Sequence, residues 1–184
     1  MKIEDEIVNC INEKCSQLQP IPSEVNYFKL LESPQKFNIN LNDLKKKYYK
    51  IQNAYHPDKL ISMDDKLKAI FENSSMVINQ AYDNLKEPLK RAEYMLRLQG
   101  KELKEEESIE NQQILFNIME LNERLEDSQD KNETETIVLE VKEHLKDLET
   151  KLNIAFDNND IKAAYDLVLE YRYYFKCLKR AKHL

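Results

Sequence analysis

The chain has 184 residues, of which 34% are charged, with a net charge of −6, one glycine (Gly100) and no tryptophan. A single glycine excludes P-loop and dinucleotide fingerprints, whose backbones need several glycines to approach a phosphate closely. The acidic balance argues against a nucleic-acid partner and no apolar run approaches a membrane span, while the length suits one or two small cores rather than a large enzyme with a deep cleft.

Few turn-formers, with abundant Leu, Lys, Glu and Asn, predict an all-α protein. Residues 1–25 read as an N-terminal extension. It opens on Met1-Lys2-Ile3-Glu4-Asp5-Glu6 and lacks the arginine-rich, acid-poor character of a transit peptide. Cys10, Cys15 and Cys177 are an odd set without disulfide spacing, which suits a reducing compartment.

Tyr27-Phe28-Lys29-Leu30-Leu31 reads as a short first helix. An amphipathic second helix follows, with Leu41, Leu44, Tyr48, Ile51 and Tyr55 at helical spacing and Lys46, Lys47 and Lys50 on the other side. Asn40 is its expected N-cap, with Asp43 at the third helical position. Pro57 disfavours helical geometry at His56 and ends the helix there. A third helix restarts after an N-cap at Ser62, with Asp64 and Asp65 in its positive first turn. His56-Pro57-Asp58-Lys59 therefore falls in a loop between two helices. An imidazole and a carboxylate either side of a rigid proline suit docking better than a core. As a general-base pair they lack a nucleophile and a glycine-lined pocket, so no enzyme is expected.

The third helix carries Leu67, Ile70, Ser74, Ile78, Ala81 and Leu85, a stripe widened by Phe71 and Tyr82 that should pack against the second helix. Pro88 opens a fourth helix with Leu89, Ala92, Met95, Leu96 and Leu98, which Gly100 closes as a C′ residue. Residues 101–110 are strongly charged and read as a linker, with Glu105, Glu106 and Glu107 favourably placed near the start of the next helix.

Residues 111–184 predict an antiparallel three-helix bundle, with helices over roughly 111–127, 133–157 and 160–181 joined by short polar turns. The middle helix repeats Val138, Val141, Leu145, Leu148, Leu152 and Ala155; the last repeats Ile161, Ala164, Val168, Tyr171, Phe175 and Leu178. His144 and His183 read as ordinary surface residues, and Cys177 as half-buried packing. The first helix of the bundle has apolar residues to spare. Ile114, Ile118, Leu121 and Leu125 form one seam, while Leu115, Phe116 and Met119 lie off it beside Glu120 and Glu123. On the last helix, Tyr173 also points off the seam. Such residues are either a wide packing face or an acid-rimmed partner surface.

The basic helix, the His56-Pro57-Asp58 loop and the stretch from Ile78 to Leu85 together resemble a J-domain, the module by which DnaJ-type co-chaperones engage a DnaK-class chaperone ATPase. A narrower resemblance lies in residues 85–100, from Leu85-Lys86-Glu87-Pro88 to Leu98-Gln99-Gly100. They are similar to the J-domain exit of the HscB-type co-chaperones of iron–sulfur cluster assembly. Met119-Glu120-Leu121-Asn122-Glu123-Arg124-Leu125 and Tyr171-Arg172-Tyr173-Tyr174 add to it.

The resemblance implies a J-domain over 26–100, a charged linker over 101–110 and a scaffold-binding bundle over 111–184. It implies that His56, Pro57, Asp58 and Lys59 contact the DnaK-class chaperone and stimulate its ATPase, with Lys46, Lys47 and Lys50 supplying electrostatic docking. Leu115, Phe116, Met119 and Tyr173 match the family's hydrophobic surface for an IscU-type scaffold, with Glu120 and Glu123 as adjoining polar contacts. The rival expectation is a J-domain protein whose bundle recruits a different client. Some eukaryotic members carry an N-terminal zinc module, and Cys15-Ser16-Gln17-Leu18-Gln19 resembles its end. Two cysteines cannot close a four-ligand site, so no metal and no cofactor are expected. A site shared between two chains is the alternative. The remnant implies a mitochondrial protein; without it, a cytoplasmic one.

Overall fold

A computed structural model describes residues 20–55, 65–104, 107–128 and 131–181, with Lys66 and Leu67 described by their backbone alone. The expected all-α class holds. Seven helices are present among the described residues: α1 (Tyr27–Leu30), α2 (Leu41–Ala54), α3 (Asp65–Lys86), α4 (Pro88–Leu98), α5 (Gln112–Asp127), α6 (Lys131–Asp157) and α7 (Ile161–Ala181). They fall into two compact units, Met1–Lys90 and Arg91–Leu184.

In the first unit, α1 and α2 both pack on α3. Asn40 caps α2 as its sequence implies, its side-chain oxygen accepting from the Asn42 and Asp43 amides at 3.0 and 3.1 Å. Phe28, Leu30, Leu31, Leu44, Ile78, Ala81 and Leu85 are almost wholly buried, with Ile51, Tyr55 and Phe71 close behind. Two expectations shift by register. Ile70 is exposed and its neighbour Phe71 takes the inward place against Tyr55, at 5.9 Å between ring centroids. Leu41, in the first turn of α2, is also exposed. Ser74 is buried yet satisfied: its hydroxyl donates to the Ile70 carbonyl and accepts from the Ile21 amide, fastening the chain ahead of α1 onto α3.

In the second unit, α5 packs on both α6 and α7, and α6 runs against α7. This is the expected three-helix bundle. Leu125, Val141, Leu148, Leu152, Ala164 and Val168 line its interior. Ile137 rather than Val138 is buried at the start of α6, and Tyr174 is buried where Phe175 was expected. Arg124 forks onto both carboxylate oxygens of Glu140, at 2.8 and 3.0 Å, and so ties α5 to α6.

The division between units falls after Lys90, ahead of the boundary expected near Gly100. Polar ties join α4 to α7 within the second unit. Arg172 on α7 bonds Glu93 on α4 at 2.5 Å and the Lys104 carbonyl at 2.9 Å. The charged stretch after Gly100 also buries Leu103 and Ile109. The second compact unit includes most of α4 and this stretch.

Three helices end in the same closure. After α1, α4 and α6 the chain turns left-handed at Glu32 (φ 48°), Gly100 (φ 73°) and Asn159 (φ 55°). At Gly100, the Lys101 amide returns to the Leu96 carbonyl and the Gly100 amide to that of Arg97. These are the two bonds of a Schellman motif. After α6, Asp160 then caps α7 by accepting from the Ala163 amide.

Candidate functional site

Two surfaces gather the residues singled out from the sequence, one on each unit. The first is the outward face of α2. His56, Pro57, Asp58 and Lys59 lie outside the described residues; the helix that leads to them does not. Lys46 and Lys50 are exposed on it, as is Lys45. Lys47 differs. Its ammonium pairs with Asp43 at 2.8 Å and donates to the Glu32 carbonyl at 2.8 Å, so it joins α2 to the turn after α1.

Tyr48 and Tyr49 divide the work of a chain with two adjacent aromatics. Tyr48 turns toward α3, stacks on Tyr82 at 4.2 Å and 16° between planes, and donates its hydroxyl to Asn79. Desolvation, followed by the neighbouring Tyr49 and Asp83, pushes its phenol up. Tyr49 stays 51% exposed, its ring 5.2 Å from that of Tyr48 and 5.9 Å from the Lys45 ammonium. Tyr49 has a signal in the sequence, an aromatic standing between lysines on the polar side of the helix.

The second surface lies on α5. With about 100° per residue, Ile114, Ile118, Leu121 and Leu125 point inward, and all four are buried or half-buried. Phe116, Met119, Glu120 and Glu123 share the opposite face, and Leu115 lies on its flank. Leu115 is half-buried, whereas Phe116 and Met119 are 61% and 62% exposed. Glu120 and Glu123 are exposed beside them. Phe116 and Met119 are thus not bundle core.

Tyr173 is half-buried on α7, under the Lys176 ammonium at 5.5 Å. The seam between α5 and α7 is polar as well as apolar. Tyr174 hydrogen-bonds Asn117, and Arg180 bonds Glu126 at 2.5 Å. His144 is not the ordinary surface residue its sequence suggests: it is half-buried, 2.9 Å from a Glu170 oxygen and 3.9 Å between centroids from Tyr174. Cys177 is buried, and burial pushes its thiol up, away from reactive thiolate.

An open groove of about 990 Å³ lies elsewhere on this unit, walled by Ile109, Ile114, Ile161, Tyr165 and Leu169. Tyr165 hydrogen-bonds Glu107 at its edge, which lifts the phenol to about 12. Among the described residues, no group of three or more His, Cys, Asp or Glu is placed to hold a metal ion. Cys10 and Cys15 lie outside them. No helix among the described residues is long and apolar enough to cross a membrane.

Comparison with known proteins agrees with this arrangement of helices. Residues 110–182 match the family described as the HSCB C-terminal oligomerisation domain. The iron–sulfur cluster co-chaperone protein HscB of Mus musculus is 32% identical over 169 residues, covering 91% of this chain and 72% of its own length. The co-chaperone protein HscB of Proteus mirabilis is 31% identical over 165 residues, covering 87% of this chain and 95% of its own. Among solved structures, the human co-chaperone protein HscB superposes with a TM-score of 0.87 at 28% identity, over 93% of this chain and 87% of that one.

Proposed function

The chain belongs to the HscB family of iron–sulfur cluster co-chaperones, and from that premise we propose that it brings an IscU-type cluster scaffold to a DnaK-class chaperone and stimulates that chaperone's ATPase. The observation that carries the scaffold half is the face of α5. Phe116 and Met119 stand in solvent beside Glu120 and Glu123, on the side of the helix away from its own core. Two large exposed side chains rimmed by acids make an interface core with a polar rim. Leu115 on the flank of α5 and Tyr173 on α7, both half-buried, are the further positions that this reading assigns to the scaffold.

The chaperone half rests on α2 and the loop after it. Lys46 and Lys50 steer an acidic partner surface, and steering by exposed charges acts mainly on the association rate. Lys47 braces the helix from within. His56, Pro57 and Asp58 then engage the ATPase and favour its hydrolysing conformation. Such a protein performs no chemistry itself; it binds one state of its partner more tightly than the other and shifts the population. Holding scaffold and chaperone together raises the concentration of each for the other, which promotes loading and cluster transfer. We place this activity in the mitochondrion, on the resemblance of Cys15-Ser16-Gln17-Leu18-Gln19 to the end of the zinc module of eukaryotic members.

Single-turnover ATP hydrolysis by the chaperone, with and without scaffold, tests the reading. Synergistic stimulation that disappears with Asp58→Ala is expected. Stimulation indifferent to the scaffold would leave a co-chaperone with another client, and none at all would remove the chaperone half.

A further inference from the structure

We propose that Tyr49 is the apolar anchor of the α2 docking face, seated in an aliphatic cup on an acidic partner surface, with Lys45, Lys46 and Lys50 around it. This rests on the reading that α2 meets the chaperone ATPase. An exposed tyrosine alone needs no explanation. Tyr49 differs from a stray one in how it is held. It is the outer member of a row of three rings, lying 5.2 Å from Tyr48, which in turn stacks on Tyr82 at 4.2 Å. The two inner rings are each fixed, Tyr48 by its hydroxyl on Asn79 and Tyr82 by the Lys86 ammonium 5.2 Å from its ring. Tyr49 is therefore 51% exposed yet braced on one side.

A ring with two side-chain torsions, already braced, loses little entropy on binding. That is why tyrosine is enriched among residues that dominate interface energies. The lysines have the opposite character: long, hydrated and suited to a rim. On a helix, positions 45, 46 and 50 lie within about 100° of position 49, so the ring stands among their charges. Three cations around one apolar ring fit a partner that presents carboxylates around an aliphatic depression. Lys47 does not add to this set, because Asp43 and the Glu32 carbonyl hold it.

The two roles separate kinetically. Removing a rim charge changes the association rate and its salt dependence, whereas removing an anchor changes dissociation. The measurement is stopped-flow binding of the full chain to the ATP-bound DnaK-class chaperone across a salt series. For Tyr49→Ala, dissociation should quicken about thirtyfold, as for a strong interface anchor, with association within about threefold of wild type. Tyr49→Phe should keep the wild-type rates. Tyr49→Lys, which adds charge at the same exposed position, should associate faster yet still dissociate quickly. Lys46→Ala should slow association and flatten its salt dependence. If wild type binds and Lys46→Ala behaves in this way, but Tyr49→Ala and Tyr49→Lys both dissociate at the wild-type rate, the anchor is refuted and the docking face stands. If wild type does not bind the chaperone at all, both fall.

Discussion

Truncating Phe116 and Met119 together to alanine separates a partner surface from a core. Each side chain is about two fifths buried, at 61% and 62% exposure. Full burial of such a side chain contributes roughly 1.5–3 kcal/mol, so each truncation costs the fold at most about 1 kcal/mol. Leu152, on α6, is 0% exposed. Its replacement by alanine should cost about 2–5 kcal/mol through lost burial and the cavity left behind. Chemical denaturation of the full chain, followed by far-UV circular dichroism, gives both numbers. For scaffold binding the order reverses. Burying the remaining three fifths of both side chains contributes about 2–4 kcal/mol in all, or roughly 30- to 900-fold in Kd. Isothermal titration with an IscU-type scaffold reads that loss, and Leu152→Ala protein that remains folded should bind like wild type. A double variant as unstable as Leu152→Ala, or one that binds scaffold normally, would refute the assignment of this face.

Arg172→Leu should lower stability by about 1.5–3 kcal/mol, the range for hydrogen bonds to charged groups, since it removes both the Glu93 ion pair and the bond to the Lys104 carbonyl. Hydrogen exchange should quicken first in α4 and residues 101–104, before the helices of the bundle. The chain should also lose stability in alkali. Burial raises the Tyr171, Tyr174 and Tyr55 phenols above their ordinary 10.0 and the Cys177 thiol above 9.0. The folded state then holds protons that the unfolded state releases, so stability is intact below about pH 9 and falls as pH rises through 9 to 12. Denaturation midpoints that stay flat over that window would contradict the burial of these groups.

Much of the fold was legible because punctuation and period agreed. Asn40, Pro88 and Gly100 marked ends, and a helical repeat filled the spans between them. The misreadings share a cause. Where two apolar residues are adjacent, as at Ile70 and Phe71 or Ile137 and Val138, their directions differ by about 100°. A one-dimensional stripe then admits either, and only the facing side chains choose. Residues 101–110 read as a linker because Leu103 and Ile109 are isolated among charges, with no period to announce them. Arg172, which fastens that stretch, lies far along the chain. The exposure of Phe116 and Met119 was legible for a reason particular to α5: the helix had more apolar residues than one seam could use. The constraint on Lys47 was not legible, since it depends on the left-handed turn at Glu32 bringing a carbonyl to α2.

The closure at Gly100 has a consequence in stereochemistry. Where a Cβ would stand on this residue there is nothing within 4 Å, so the site requires no smallness, only a positive φ of 73°. An L-residue there pays for the wrong handedness, by roughly 1–2 kcal/mol. D-alanine inverts that preference and would occupy the open space without a clash. It would also restrict the unfolded chain more than glycine does, so a semisynthetic protein with D-alanine at this position should gain about 0.4–1 kcal/mol. The only achiral residue in the chain thus stands in for the mirror-image amino acid that ribosomal synthesis does not supply.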